Sequence, residues 1–312
     1  MQETMIIGAD DYLRGVTLES FSTDDTVFVT QFEQRIKDTI STFGILDGKE
    51  NIVVAASGGK DSTVVMYILK NLGYHIRALT VDTHIGCYTE QNLKNVIKFC
   101  ESINVPLVAK DFNTEFGYGV CYLRDTLAEK GLNVKSCTVC GVPRRYLINK
   151  YTREMGADVV ITGHNLDDEC QAILMNYFRN TLQLSARLGP VPGVIRDPRF
   201  IPRAKPLYFL SNTEIERYSK LKGFQVAYGH CPCSTDAYRR HIKDWLHAMS
   251  LKHPRFKHRI ITHFLANLPA LRHKYRSDAS PGECLSCGEP TSAELCKTCS
   301  IMQLASSPTQ TI

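Results

Sequence analysis

The first periodic stretch places Phe28, Phe32, Ile36, Ile40 and Phe43 three or four residues apart. That spacing predicts an amphipathic helix over 28–43, closed by Gly44. The pattern then changes to a continuous apolar run, Ile52-Val53-Val54-Ala55-Ala56. Its length suits a buried strand better than a helix. It feeds Ser57-Gly58-Gly59-Lys60-Asp61-Ser62 and a helix over 63–72. Further strands are expected over 75–81, 105–109 and 158–162. Helices are expected over 92–103, 142–155, 166–179, 212–222, 238–249 and 256–271, with a helical region over 115–131. Strand alternating with helix at this spacing means parallel βαβ units with right-handed crossovers. The fold class is therefore α/β, built on a parallel sheet. Residues 1–27 read as an N-terminal extension. The proline-rich stretch 189–206 reads as a loop: a lid, an RNA contact or a long crossover.

A strand, a glycine turn and a helix start make an anion site, because free N–H groups and the positive helix end converge. Ser57 and Ser62 add hydroxyls, Lys60 a mobile charge, and Asp61 a carboxylate able to hold magnesium. The loop is too short for a Walker A motif. In open α/β sheets ligands bind outside the carboxyl ends of the strands. The turns carrying Val81-Asp82 and Gly163-His164-Asn165-Leu166-Asp167-Asp168 should therefore share the rim with this loop. Asp167 and Asp168, adjacent at a helix start, suit magnesium or polarisation of a nucleotide.

The 312 residues are 43% hydrophobic and 22% charged, ordinary values for a globular protein. No apolar run approaches the roughly 18 residues of a membrane span, and no signal pattern opens the chain, so a cytoplasmic protein is expected. Twelve cysteines in that setting point to metal or redox use. Cys284-x-x-Cys287 and Cys296-x-x-Cys299 predict a structural zinc ribbon over 281–302, with Gly288 freeing the first turn; a redox cluster is the alternative. Cys137-x-x-Cys140 has no such partner nearby. Joined by Cys231 it supplies three thiolates, which suit a 4Fe–4S cluster with one open iron, a zinc ion or a persulfide-carrying dithiol.

The net charge of +5 says little, but its distribution is uneven. Between 239 and 276 lie Arg239, Arg240, Lys243, Lys252, Arg255, Lys257, Arg259, Arg272, Lys274 and Arg276, against the single acid Asp244. With Tyr238, Trp245, Phe256 and Tyr275 interleaved, residues 236–280 read as a basic helical surface for nucleic-acid phosphates.

Ser57–Ser62 resembles the SGGxDS loop of the PP-loop N-type ATP pyrophosphatases. Cys137-Thr138-Val139-Cys140-Gly141-Val142-Pro143-Arg144-Arg145, the Gly163–Asp168 turn, the Cys231–Arg239 segment and the terminal cysteine knuckles follow in order. Together they resemble the tRNA 2-thiolation enzymes of the TtcA/TtuA type, nearer the thiouridine branch, over about residues 28–300. The resemblance implies a catalytic domain over 28–235 that binds ATP and Mg2+ and adenylates the 2-oxo group of a tRNA uridine. Sulfur held on a 4Fe–4S cluster then displaces AMP. It implies ATP contacts at Ala55, Ser57, Gly58, Gly59, Lys60, Asp61, Ser62, Val81, Gly163 and Asp168, and cluster ligation by Cys137, Cys140 and Cys231. Arg144 and Asp168 would line the reaction centre, with Asp61 near the phosphates. The implied partners are tRNA, a sulfur donor (sulfide, a cysteine desulfurase or a ubiquitin-like carrier) and a second copy in a homodimer. Thiolation of a tRNA cytidine, a PP-loop ligase for a small molecule, and a non-catalytic zinc- and RNA-binding protein are the competing readings. Two features depart from the pattern: no cysteine precedes Cys87, so an N-terminal zinc ribbon is not expected, and Cys233 stands where an aromatic or histidine is commoner.

Overall fold

The computed structural model describes residues 16, 18–132, 134–193, 197–229, 231–234, 238–276 and 281–307. The reading of residues 1–15 lies outside them. Helix α1 (Asp25–Thr42) is capped by Asp24, whose carboxylate accepts the Val27 N–H at 2.9 Å. It buries the expected stripe of Phe28, Phe32, Ile36 and Ile40. Strand β1 (Ile52–Ala55) leads into α2 (Lys60–Asn71), then β2 (Ile76–Asp82), α3 (Gly86–Ser102) and β3 (Leu107–Asp111). After them come α4 (Phe112–Phe116), α5 (Val120–Glu129), α6 (Ser136–Glu154), β4 (Val159–Ile161), α7 (Leu166–Phe178), α8 (Leu182–Ser185) and β5 (Arg203–Ala204). The chain closes with α9 (Asn212–Leu221), a 3-10 turn at Pro232–Ser234, α10 (Tyr238–Lys252), α11 (Phe256–Lys274), β6 (Gly282–Glu283), β7 (Pro290–Thr291) and α12 (Lys297–Ser306).

The first five strands form one parallel sheet in the order β3-β2-β1-β4-β5. Ile52 sits between Ile76 and Val159, so β1 is central and covered on both faces, as its unbroken apolar run requires. The order reverses at β1, which puts the turn after it at a topological switch point. One core lies among α1, α2 and α9; a second lies under α5, α6 and α12; a third joins α7, α10 and α11. Among the described residues no helix is long and apolar enough to cross a membrane.

Several elements differ from expectation. The region 115–131 is two helices, because Gly117 takes a left-handed φ of +79° and caps α4. Helix α3 starts at Gly86 rather than 92. Helix α6 begins at Ser136, so Cys137 and Cys140 stand on its first turns instead of in an entry loop, and Pro143 lies inside it. Burial of Val139, Leu147 and Tyr151 outweighs the rung that a proline removes. The described part of the stretch 189–206 ends in the edge strand β5, which at two residues is too short to show as a periodicity.

Candidate functional site

Ser57 to Ser62 forms a compact turn. The Ser57 N–H donates to Ser62 Oγ at 3.1 Å, and the Ser62 and Thr63 hydroxyls both reach the Gly59 carbonyl at 3.1 Å. Gly59 caps α2 without a side-chain acceptor, which leaves the first N–H groups of the helix for a ligand. Gly58 has φ +75°, and a Cβ there would stand 2.0 Å from the Asn92 carbonyl oxygen of α3. Gly163 lets the turn after β4 touch the loop, since its Cβ would lie 2.9 Å from both Asp61 Cβ and the Ser62 nitrogen. The turn after β4 and Asn92 of α3 thus both pack directly on the loop.

Lys60 is held rather than mobile. Its Nζ donates to both Asp61 oxygens at 2.9 Å and to Asn212 Oδ1 at 2.8 Å. Asn165 bridges the same group, donating to Asp61 Oδ1 at 3.0 Å and to Asn212 at 3.2 Å. Asn212, at the start of α9, has no local signature of this role. The paired aspartates part company. Asp167 is buried, takes Lys257 Nζ at 2.6 Å on one oxygen and the Asn212 N–H at 2.8 Å on the other, and so braces α7 against α9 and α11. These bonds give Asp167 a bracing role besides the magnesium or polarising role expected of the pair. Asp168 completes a capping box with Asn165 and faces the cleft. Burial pushes its carboxyl above the ordinary range, and Arg239 pulls it back.

The rim is strongly basic. Burial lowers the Arg145 guanidinium, and the charges of Arg144 and Arg239 lower it further; Arg203 is likewise lowered by burial and by Arg145. His164 is exposed to the cleft yet hemmed by protein, and desolvation followed by Lys205 brings its imidazole down to about 4. Crowded cations of this kind are stable beside a bound polyanion.

The thiol of Cys140 lies within charge range of two of these cations, Arg144 and Arg145. Cys137 and Cys140 lie on one turn of α6, and Cys231 reaches them from the turn before α10. A bridge between Gly59 and Ala227 ties the approach to Cys231 against the loop itself. Burial pushes Cys140 up, Arg144 and Arg145 pull it back, and Thr83 bonds its sulfur. Burial likewise raises Cys231, on which Cys140 and Cys137 act by charge. Tyr88, at the start of α3, has its phenol raised by burial and then by Cys231, with Arg144 and Cys140 also acting on it. Tyr88 and Thr83 carry no motif and were not legible beforehand. A second group also escaped the sequence: Asp82, His84 and Asp111 bring their ligand atoms within 4.8 Å, with His84 Nε2 2.5 Å from Asp111.

The terminal ribbon is as expected. Cys284, Cys287, Cys296 and Cys299 hold their sulfurs within 4.8 Å of one another, with Cys287 and Cys296 3.8 Å apart. Tetrahedral Zn–S bonds of about 2.3 Å require an S–S spacing of about that size, so the set fits zinc. Backbone N–H groups of Cys296 and Cys299 donate to Cys284 and Cys296 sulfurs at 3.2 and 3.4 Å, and Gly288 has φ +73°. Among the described residues Cys137, Cys140 and Cys231 do not close to that spacing.

Of the basic stretch, Lys257 turns inward to Asp167, and Arg272 donates to the Leu188 and Val191 carbonyls at 3.0 and 2.9 Å. Arg239 belongs to the cleft. Trp245 is 44% exposed beside Phe256, which leaves an aromatic face on α10.

Fold and rim define a nucleotide-binding α/β protein whose phosphate loop is paired with a set of thiols. A family described as the PP-loop domain matches residues 27–242, and the chain belongs to that family. Its relatives place it in the tRNA 2-thiolation branch. It is 31% identical over 272 residues to the tRNA-5-methyluridine(54) 2-sulfurtransferase of Pyrococcus horikoshii, covering 87% of this chain and 84% of that one. It is 30% identical over 297 residues to the tRNA 2-thiolation protein NcsA of Haloferax volcanii, covering 89% and 92%. The U34-tRNA thiolase NcsA of Methanococcus maripaludis, solved with its [4Fe-4S] cluster, superposes with a TM-score of 0.73 at 26% identity over 89% of this chain and 88% of that one.

Proposed function

We infer that this protein is an ATP-dependent tRNA uridine 2-sulfurtransferase. The observations that support the reading are that α2 starts without a side-chain cap, that Ala227, four residues before Cys231, bridges Gly59 of the loop, and that Cys231 lies within charge range of Cys137 and Cys140. The α2 N–H groups and the Ser57 and Ser62 hydroxyls bind the ATP phosphates. Asp61, once released from Lys60, would hold the magnesium that ATP brings, and Lys60 would turn to the phosphate oxygens. Arg144, Arg145 and Arg239 take up the charge that develops as the uridine 2-oxo oxygen attacks the α-phosphate and pyrophosphate leaves. Adenylation makes that oxygen a good leaving group. Cys137, Cys140 and Cys231 would hold a 4Fe–4S cluster, which would supply the site that carries the incoming sulfur. Residues 28–235 are the catalytic unit, the outward cations of 236–280 the tRNA surface, and 281–302 the zinc ribbon. The sulfur donor is sulfide, a desulfurase or a ubiquitin-like carrier; the enzyme works in the cytoplasm, as a homodimer.

Mass spectrometry of tRNA nucleosides from a strain lacking the gene tests the reading. Loss of a 2-thiouridine is expected, and its restoration should require Cys137, Cys140 and Cys231. An unchanged nucleoside profile, or loss of 2-thiocytidine instead, would overturn it.

A further inference from the structure

Helix α7 joins the phosphate loop to a second, aromatic surface. At its start Asn165 donates to Asp61 at 3.0 Å. Its far end carries Tyr177 and Phe178, about 15 Å along the axis from Asp168. These side chains are 67% and 57% exposed, with ring centroids 6.0 Å apart at 68°. Two adjacent large rings left in water hold hydrophobic free energy that a partner recovers. The turn beneath them is fixed. The Asn180 and Thr181 N–H groups donate to the Tyr177 and Asn176 carbonyls at 3.0 and 2.8 Å, and the Asn176 amide donates to Ser185 Oγ at 3.2 Å. The backbone that carries the rings is thus set before any partner arrives. The next side chain extends the surface: the Arg179 guanidinium lies 4.6 Å from the ring centroid of Tyr238, at the head of α10. The setting is basic. No acid falls between Glu169 and Asp197, a stretch that holds the exposed Arg179 and Arg187, and the exposed Arg239 and Arg240 follow Tyr238.

We propose that Tyr177, Phe178 and Arg179 form a stacking platform for unpaired tRNA bases beside the target uridine. The proposal rests on the thiolation reading and adds how the substrate is held. An enzyme that acts on a base takes it out of the stack, and the neighbouring bases then lose a stacking partner. Aromatic rings and a guanidinium plane supply one, and they accept any base because every base has a π-face. Helix α7 sets the platform at a fixed distance from the loop that binds the phosphates. Charge decides between RNA and a second copy of this chain as the occupant. A second copy would bring the same acid-free cations against Arg179 and Arg187, whereas RNA brings phosphates.

Holoenzyme purified without oxygen should quench a short single-stranded RNA that carries 2-aminopurine, a base whose fluorescence falls on stacking. Tyr177→Ala combined with Phe178→Ala should remove most of that quenching. The same double variant should weaken binding of tRNA from the strain lacking the gene about tenfold to a hundredfold. The slope of log affinity against log salt should stay as it was, because no phosphate contact is lost. Tyr177→Phe combined with Phe178→Trp should keep both quenching and affinity. In thiolation assays the double alanine variant should raise KM for tRNA and leave KM for ATP unchanged. Natural quenching and natural tRNA affinity in that variant would overturn the proposal. So would a change in its oligomeric mass without RNA, which would make the rings a protein interface. Quenching needs neither ATP nor sulfur transfer, so failure of the platform is separable from failure of the thiolation reading.

Discussion

Gly58 shows how one missing atom sets a site. Its φ of +75° and the Asn92 carbonyl 2.0 Å from any added Cβ leave room for no side chain. Gly58→Ala should push α3 off the loop, cost about 1–3 kcal/mol in backbone strain, and abolish pyrophosphate release while leaving a folded protein; a variant that still releases pyrophosphate would refute the cradle. The glycine pattern announced the turn, whereas the backbone that crowds it comes from 34 residues further on. His164 is a second case. Its imidazole is brought down to about 4 against an ordinary value of 6.5, first by desolvation. Above pH 6.5 both folded and unfolded forms are neutral there. As pH falls from 6.5 towards 4 the unfolded chain takes a proton that the folded one refuses, so stability falls across that window. Cleft water reaches the ring, so the loss should be no more than about 1 kcal/mol. Urea unfolding at pH 7 and pH 5 should show a smaller drop for His164→Gln than for the natural protein.

At the scale of elements, α7 carries both chemistry and bracing. Its first turn sends Asp168 to the cleft and Asp167 to Lys257, while Glu169 takes Lys205 at 2.7 Å and the Gly189 N–H at 2.7 Å. Successive residues on a helix point about 100° apart, so three neighbouring carboxylates meet three different surroundings. Adjacency in sequence suggested a shared role for the pair, and burial separated them. Lys257→Ala leaves the Asp167 carboxylate buried without its cation, which costs about 3–5 kcal/mol. Lys257→Met combined with Asp167→Asn should recover most of that, as read from the urea midpoint. If the single variant unfolds at the natural midpoint, the brace is not there.

Across the whole molecule, the ribbon is docked on the helix that carries the thiols. Glu289 of the ribbon pairs with Arg153 of α6 and accepts the Asn149 amide at 3.2 Å. Arg199 of the crossover donates to Glu283 at 3.1 Å and to the Pro281 carbonyl at 2.9 Å. Ile301 and Ala305 share a core with Val139, Leu147 and Tyr151 of α6. Stripping zinc with a chelator should therefore lower the melting temperature of the catalytic domain as well as loosen the ribbon; a catalytic domain that melts unchanged would show that the two are independent.

The sequence by itself determined the parallel α/β fold, the phosphate loop and the ribbon. Each is written in short range: in apolar runs, in glycines at fixed offsets and in cysteine pairs whose spacing suits one metal. It also brought Cys137, Cys140 and Cys231 into one reading, though only through a resemblance. Tertiary structure alone decided that Asn212 closes the Lys60–Asp61 network, that Thr83 bonds Cys140 while Tyr88 lies within charge range of Cys231, and that Lys257 and Arg272 turn inward from an apparently basic surface. The physical reason is the same throughout. These contacts join residues tens to hundreds of positions apart, and what each does depends on burial and on the charge it meets, neither of which local patterning records.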